Sequence, residues 1–243
     1  MKTTHAILVF SVVLLLSAFI LGDAYKNRNQ RSGNITVTGL SEKNFTSDLI
    51  VWDATFSADN SNLQLAFEEL NKSKSEIQKY LISKGIEKEL FLFSALSTNE
   101  LTDPIYGPNG DYQGRKFVGY ELNQRVQISS NDVSKVEIIS REITELLNVG
   151  VQLYSSEPRY YYTKLDDLKI DMISIATENA RLRAETISEN AGSSLGDLID
   201  GKMGIFQIIG QYSDEDYSWG GTYNTSSKEK TASITMKLIY QVN

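Results

Sequence analysis

The chain has 243 residues, 24 basic and 31 acidic side chains, a net charge of −7, no cysteine and one histidine. Disulfides, thiolate catalysis and cysteine metal sites are excluded, and an acidic chain lacks the basic face that a nucleic-acid partner needs. Because that histidine is His5, histidine-based metal sites and hydrolase triads are excluded from everything beyond the first residues.

Residues 6–22 (AILVFSVVLLLSAFILG), which include Ala6, Leu14 and Leu21, form an uninterrupted apolar run. It reaches the lower limit of about 17 residues for a membrane-spanning helix. Lys2 precedes it, and Lys26, Arg28 and Arg31 follow it. The first expectation is an uncleaved anchor that holds the domain on the extracytoplasmic (periplasmic) side. The second is a secretory signal cut after Ala24, with Gly22 and Ala24 as the small residues such a cut requires. The cut would leave the charge at −7, since Lys2 and Asp23 go together. A cytoplasm-facing tethered adaptor is the third, drawn from the basic residues at 26–31 by the positive-inside rule. The chain thus divides into an anchor or signal (1–24), a polar linker (25–34) and one α+β domain (35–243).

Ile35–Gly39 reads as a short strand, and 49–58 as a second with Ile50, Trp52, Ala54 and Phe56 on one face. Leu63, Ala66, Phe67, Leu70, Ile77, Tyr80 and Leu81 have helical spacing, with Asp59 or Ser61 as N-cap and Gly85 as the stop. Glu89–Leu96 returns to strand, 104–114 reads as a long hairpin loop, and Val118–Ile128 alternates as the next strand. A helix follows over Val133–Leu147, opened by Asn131 or Asp132 and closed before Gly150. Val151–Glu157 is a strand ended by Pro158. The longest helix covers 164–191, with Leu168, Met172, Ala176, Ala180, Ala184, Ile187 and Ala191 on one stripe. Strands at 197–210 and 230–242 finish the chain as a hairpin. The predicted fold is α+β: a mixed or antiparallel sheet built from two strand–helix–strand units, a long helix and a C-terminal hairpin, preceded by one hydrophobic helix. The alternating strands at 117–128 and 230–242 offer edges for pairing between chains, so a homo-oligomer is expected.

Candidate chemistry is sparse. Asp166-Asp167, Asp214-Glu215-Asp216, and Asp103 near Asp111 are the remaining acid/base or calcium candidates, but none has the spacing of a calcium loop. Gly107–Gly114 and Gly220-Gly221 lack the strand, helix and Lys-Ser/Thr context of a phosphate loop. No catalytic, cofactor or metal residue is therefore assigned. Tyr160, Tyr161 and Tyr162, with Tyr217 and Trp219, are the candidates for a partner or ligand surface, alongside Tyr212 and Tyr223. Sequons stand at Asn34, Asn44, Asn71 and Asn224.

The ordered landmarks ITVTG (35–39), LISKGI (81–86), GYELNQRVQI (119–128), NVGVQL (148–153) and ENARLRAETISENAGSSLGDL (178–198) resemble the SIMPL-domain family. In the last stretch Asn179 stands where the family usually has an acid, Arg183 where it has lysine, and Ile187-Ser188 where it has leucine-alanine. The resemblance spans about 34–242. It implies an exported bacterial domain of non-catalytic binding or assembly type, linked to envelope or stress physiology, with no catalytic residue to carry over. A carboxylate-dependent enzyme acting on glycans is the alternative from a different class.

Overall fold

The structure, a computed structural model, describes residues 2–27, 33–216 and 218–243. Of residues 2–9, 23, 24, 26 and 27 it describes the backbone alone. In chain order the elements are α1 (Lys2–Asn27), β1 (Gly33–Thr46), β2 (Leu49–Asn60), α2 (Leu63–Ser83), β3 (Phe91–Phe93), β4 (Ser97–Tyr106), β5 (Tyr112–Ser130), α3 (Val133–Glu142), β6 (Gln152–Ser155), β7 (Arg159–Tyr161), α4 (Leu165–Asn190), β8 (Leu195–Met203), β9 (Gln207–Gly210) and β10 (Glu229–Val242). The α+β class is as read from the sequence, and every ladder between these strands whose register is described is antiparallel.

The chain divides into two compact units. One comprises residues 1–40, 174–204 and 235–243; the other comprises 41–173 and 205–234.

In the first unit β10 lies between β1 and β8, and Val37, Leu238 and Tyr240 pack on Ala180 and Ala184 of α4. The approach of helix to strand is set by glycine. A Cβ on Gly39 would collide with the Ala176 carbonyl oxygen and lie 2.6 Å from Ala180 N. Gly39 with small residues at 176, 180 and 184 therefore lets α4 lie backbone-to-backbone on β1. Arg183 anchors the same contact by donating to the Thr38 carbonyl (2.8 Å), and Arg181 pairs with Glu185 at 3.4 Å. α1 also belongs to this unit, and its described large apolar side chains, Phe10 to Leu21, are exposed. Among the described residues, no helix is long and apolar enough to cross a membrane.

The second unit is built on β2. Its odd and even positions part cleanly: Ile50, Trp52, Ala54, Phe56 and Ala58 are buried, as the alternation demanded. β5 pairs along its whole length, from Ile50↔Ser130 to Asn60↔Tyr120, while β6 and β7 share the other edge. On this sheet α2 lays Ala66, Leu70, Ile77 and Leu81, and α3 lays Val136 and Ile139. Trp52 satisfies its indole N–H by donating to Ser155 Oγ (3.0 Å), which donates in turn to the Ser140 carbonyl (2.7 Å).

Several boundaries differ from the sequence reading. α2 is capped by Asn62, whose Oδ1 accepts from Gln64 N (2.8 Å) and Leu65 N (3.3 Å); Asp59 is still in β2. The loop expected at 104–114 shrinks to 107–111, because the β4–β5 ladder runs on to Tyr106↔Tyr112. The strand expected at 89–96 is a 3-10 turn (Lys88–Leu90) followed by three residues of β3. α3 gives way to a 3-10 turn over Ile143–Val149. The strand expected at 197–210 breaks at Gly204 into β8 and β9, and the single sheet becomes two. On α4 the buried stripe continues to Ser188, which turns Ile187 and Ala191 outward.

Candidate functional site

The site built most firmly by the second unit lies where β7 and the first residues of β10 meet the loop 211–228. Lys230 is 0% exposed, and its ammonium donates to the carbonyls of Asn224 (2.7 Å) and Tyr160 (3.0 Å). Burial holds this amine well below the ordinary lysine range, at about 8, with Glu215 opposing the shift. Glu215 is itself held low. Gly210 N donates to it at 3.0 Å, and the Asn224 amide at 2.6 Å. Asn224 also accepts from Ser227 N (2.8 Å), so its side chain ties both ends of its own turn.

On the β7 side Tyr160 N donates to the Thr225 carbonyl at 2.7 Å. The Tyr160 hydroxyl donates to Glu137 Oε1 (2.9 Å), whose other oxygen accepts from Lys228 (3.1 Å). Burial first, and Glu137 second, push the Tyr160 phenol up to about 12. Gln207 fastens the outer part of the loop, donating to the Ser218 carbonyl (2.7 Å) and accepting from Thr222 N (2.8 Å).

A loop pinned this firmly carries two rings in solvent. Tyr212 is 96% exposed and Trp219 95%, and Tyr212 has φ +60, a left-handed conformation uncommon for a residue with a Cβ. Among the described large apolar and aromatic side chains these two are the most exposed. The Lys230 amine is a clamp in this geometry. A nucleophilic lysine has to reach its substrate, and Lys230 reaches two backbone carbonyls.

The predicted aromatic residues are placed differently from one another. Tyr160 and Tyr161 lie in β7, paired with Ile50 and Leu49. Tyr160 packs against the core, and Tyr162 lies tilted against Phe45 with ring centroids 4.8 Å apart. No ring contact joins them to Trp219 among the described residues, and Tyr217 lies outside the described residues. Ala6 is in α1, with its side chain likewise outside them, while Leu14 and Leu21 are exposed. Asp166, Asp214 and Asp216 are exposed, and no group of three acidic, His or Cys side chains suited to a metal ion occurs among the described residues. Carboxylates do meet elsewhere. Asp59, Glu69 and Glu76 line a polar groove of about 200 Å³ with Lys72, but each has its own partner in Gln152, Asn60 or Lys79.

Lys230 is the residue that sequence reasoning missed. The signal was present: Lys230 shares the parity of Ala232, Ile234 and Leu238, the buried side of β10.

The family described as "SIMPL: Protein of unknown function (DUF541)" matches residues 35–237. The chain belongs to the SIMPL family. The matched span takes in the whole second unit, residues 35–40, 174–204 and 235–237 of the first, and so the whole Lys230 site with the loop that bears Tyr212 and Trp219. SIMPL carries no assigned reaction, and no curated protein matches the chain. The glycine that ends ITVTG (35–39) has a physical role here, as the contact point of β1 with α4.

Proposed function

We propose that this SIMPL chain is an exported domain held at a membrane by its N-terminal helix, and that it works by binding and assembly without catalysing a reaction. The observation that carries the binding half is the pair of exposed rings, Tyr212 and Trp219, on a loop whose backbone is fastened by Gln207, Asn224, Glu215 and Lys230. Rigid aromatic side chains lose little entropy on contact and recur at the centres of protein interfaces. The partner fitting this loop is a protein surface with apolar pockets.

The tether is supported by the apolar run. It begins at Ala6, four residues before the first described side chain, and at 6–22 is long enough for a short span. Cell fractionation with intact-mass measurement tests side, attachment and cleavage together. The expected result is a membrane-bound full-length chain shielded from the cytoplasm. A cytoplasmic reporter active after residue 30 would overturn the orientation. The loop is tested by placing a photo-crosslinking amino acid at position 219 in cells that produce the chain. A discrete adduct lost on Tyr212→Ala is expected, and absence of any adduct removes the loop as a binding site.

A further inference from the structure

The sheet of the first unit has two edges, and they are finished differently. β10 has β1 on one side and β8 on the other, so the edge expected from the sequence at 230–242 lies inside the sheet. At the β1 edge, side chains of α4 occupy the backbone. Asn179 accepts from Leu40 N (3.2 Å), and Arg183 donates to the Thr38 carbonyl (2.8 Å). Among the described residues, no strand lies beyond β8 and no side chain bonds its backbone. β8 also holds apolar side chains in solvent. Leu198 and Ile199 are exposed, and so is Met203, although it stands opposite Met236 on the side of the sheet that packs on α4. An open edge of this kind is a template for another strand.

The charges choose the strand. Lys202 lies directly opposite Lys237 of β10, a cross-strand pair of like charges. Neither lysine, nor Asp200 on the same face of β8, makes an ion pair among the described residues. A second β8 related by a two-fold axis normal to the sheet pairs antiparallel, in a register centred on a single residue. Centred on Asp200 or on Lys202, that register sets like charges face to face. Centred on Gly201, it sets Asp200 opposite Lys202 of the second copy and repeats the pair across the axis. Each Lys202–Lys237 pair then gains a carboxylate beside it. The register shifts on either side of Leu198 leave 200–203 as the regular part of β8, so the paired segment is short. Met203 meets the exposed Leu198 and Ile199 of the second copy at its end, and Asp197 falls outside it.

We infer that β8 pairs antiparallel with β8 of a second copy of this chain about a two-fold axis at Gly201, joining the two sheets edge to edge. This deepens the assembly half of the proposed function and rests on it.

Charge reversal in the full-length chain, purified in detergent micelles, tests the register. Asp200→Lys alone should weaken self-association about tenfold, and adding Lys202→Asp should restore it. Both side chains are exposed, so thermal unfolding should stay unchanged. The chain lacks cysteine, so introduced thiols are the only ones present. Asp200→Cys and Lys202→Cys variants, oxidised separately and after mixing, should give a disulfide-linked dimer chiefly in the mixture, where the two positions face each other. A full chain that stays monomeric at every concentration overturns both this pairing and the assembly half of the function. A chain that assembles but ignores the single reversal, stays weakened in the double one, or yields no mixed disulfide overturns the pairing alone.

Discussion

Lys230 sets the pH response of the second unit. Its folded-state value, about 8, lies below the ordinary 10.5, so unfolding takes up a proton between those two values. The cost of the buried charge is therefore full below pH 8 and fades as the pH rises toward 10.5. Relative to Lys230→Met, the wild-type chain should gain about 2 kcal/mol of unfolding free energy between pH 8 and pH 10, read by urea titration at each pH. Equal slopes for the two proteins would contradict the assignment. Tyr160 acts in the opposite sense above its ordinary value of 10.0, because its raised phenol makes the folded state the tighter proton binder, so the window closes near pH 10. Gly39 is the second sensitive position. Gly39→Ala drives a methyl into the backbone of α4 and should cost about 3 kcal/mol, with Tm as the readout. A neutral result would mean that β1 and α4 sit farther apart than described.

Among the elements, α2 and the β4–β5 hairpin each make a prediction. Asn62→Ala removes the acceptor for two helical N–H groups and should destabilise the chain by about 1 kcal/mol in equilibrium unfolding, whereas Ser61→Ala should leave it unchanged. Amides of residues 101–119, where β4 and β5 pair beyond the end of β2, should exchange fastest of all strand amides. Those of Val126–Ile128, paired on both sides by β2 and β3, should exchange last. The same contrast explains what the sequence revealed. β2, the inner half of β5 and β10 were legible because one face of each is buried, which writes period two into Trp52, Phe56, Val126, Ile128, Ala232 and Ile234. β4 was not, since Ser97–Tyr106 has water on both faces and no alternation to display. The division into two sheets was equally silent, because alternation along β10 does not name the strands beside it. The clamp was half legible: parity marks Lys230 as inward, but one carbonyl partner comes from a turn tied by Asn224 and Glu215, and the other, Tyr160, from β7.

For the molecule as a whole, the structure grades the four sequons. Asn224 is buried, with its amide committed to Glu215 and Ser226, so a glycan there is incompatible with the closed loop. Expressed through a glycosylating secretory pathway, folded protein should carry sugar at Asn71, exposed on α2, and none at Asn224, as read by peptide mass spectrometry. Glycan at Asn224 in soluble, cooperatively unfolding material would contradict the loop as described. Burial also gives Lys230 a use for the experimenter. Acylating reagents modify amines at the surface and spare one that faces two carbonyls inside the fold, so Lys230 should stay unlabelled while the exposed lysines react. The label that eventually reaches it is then a clock for opening of the 211–228 loop, carried by the native chain with no dye, tag or substitution.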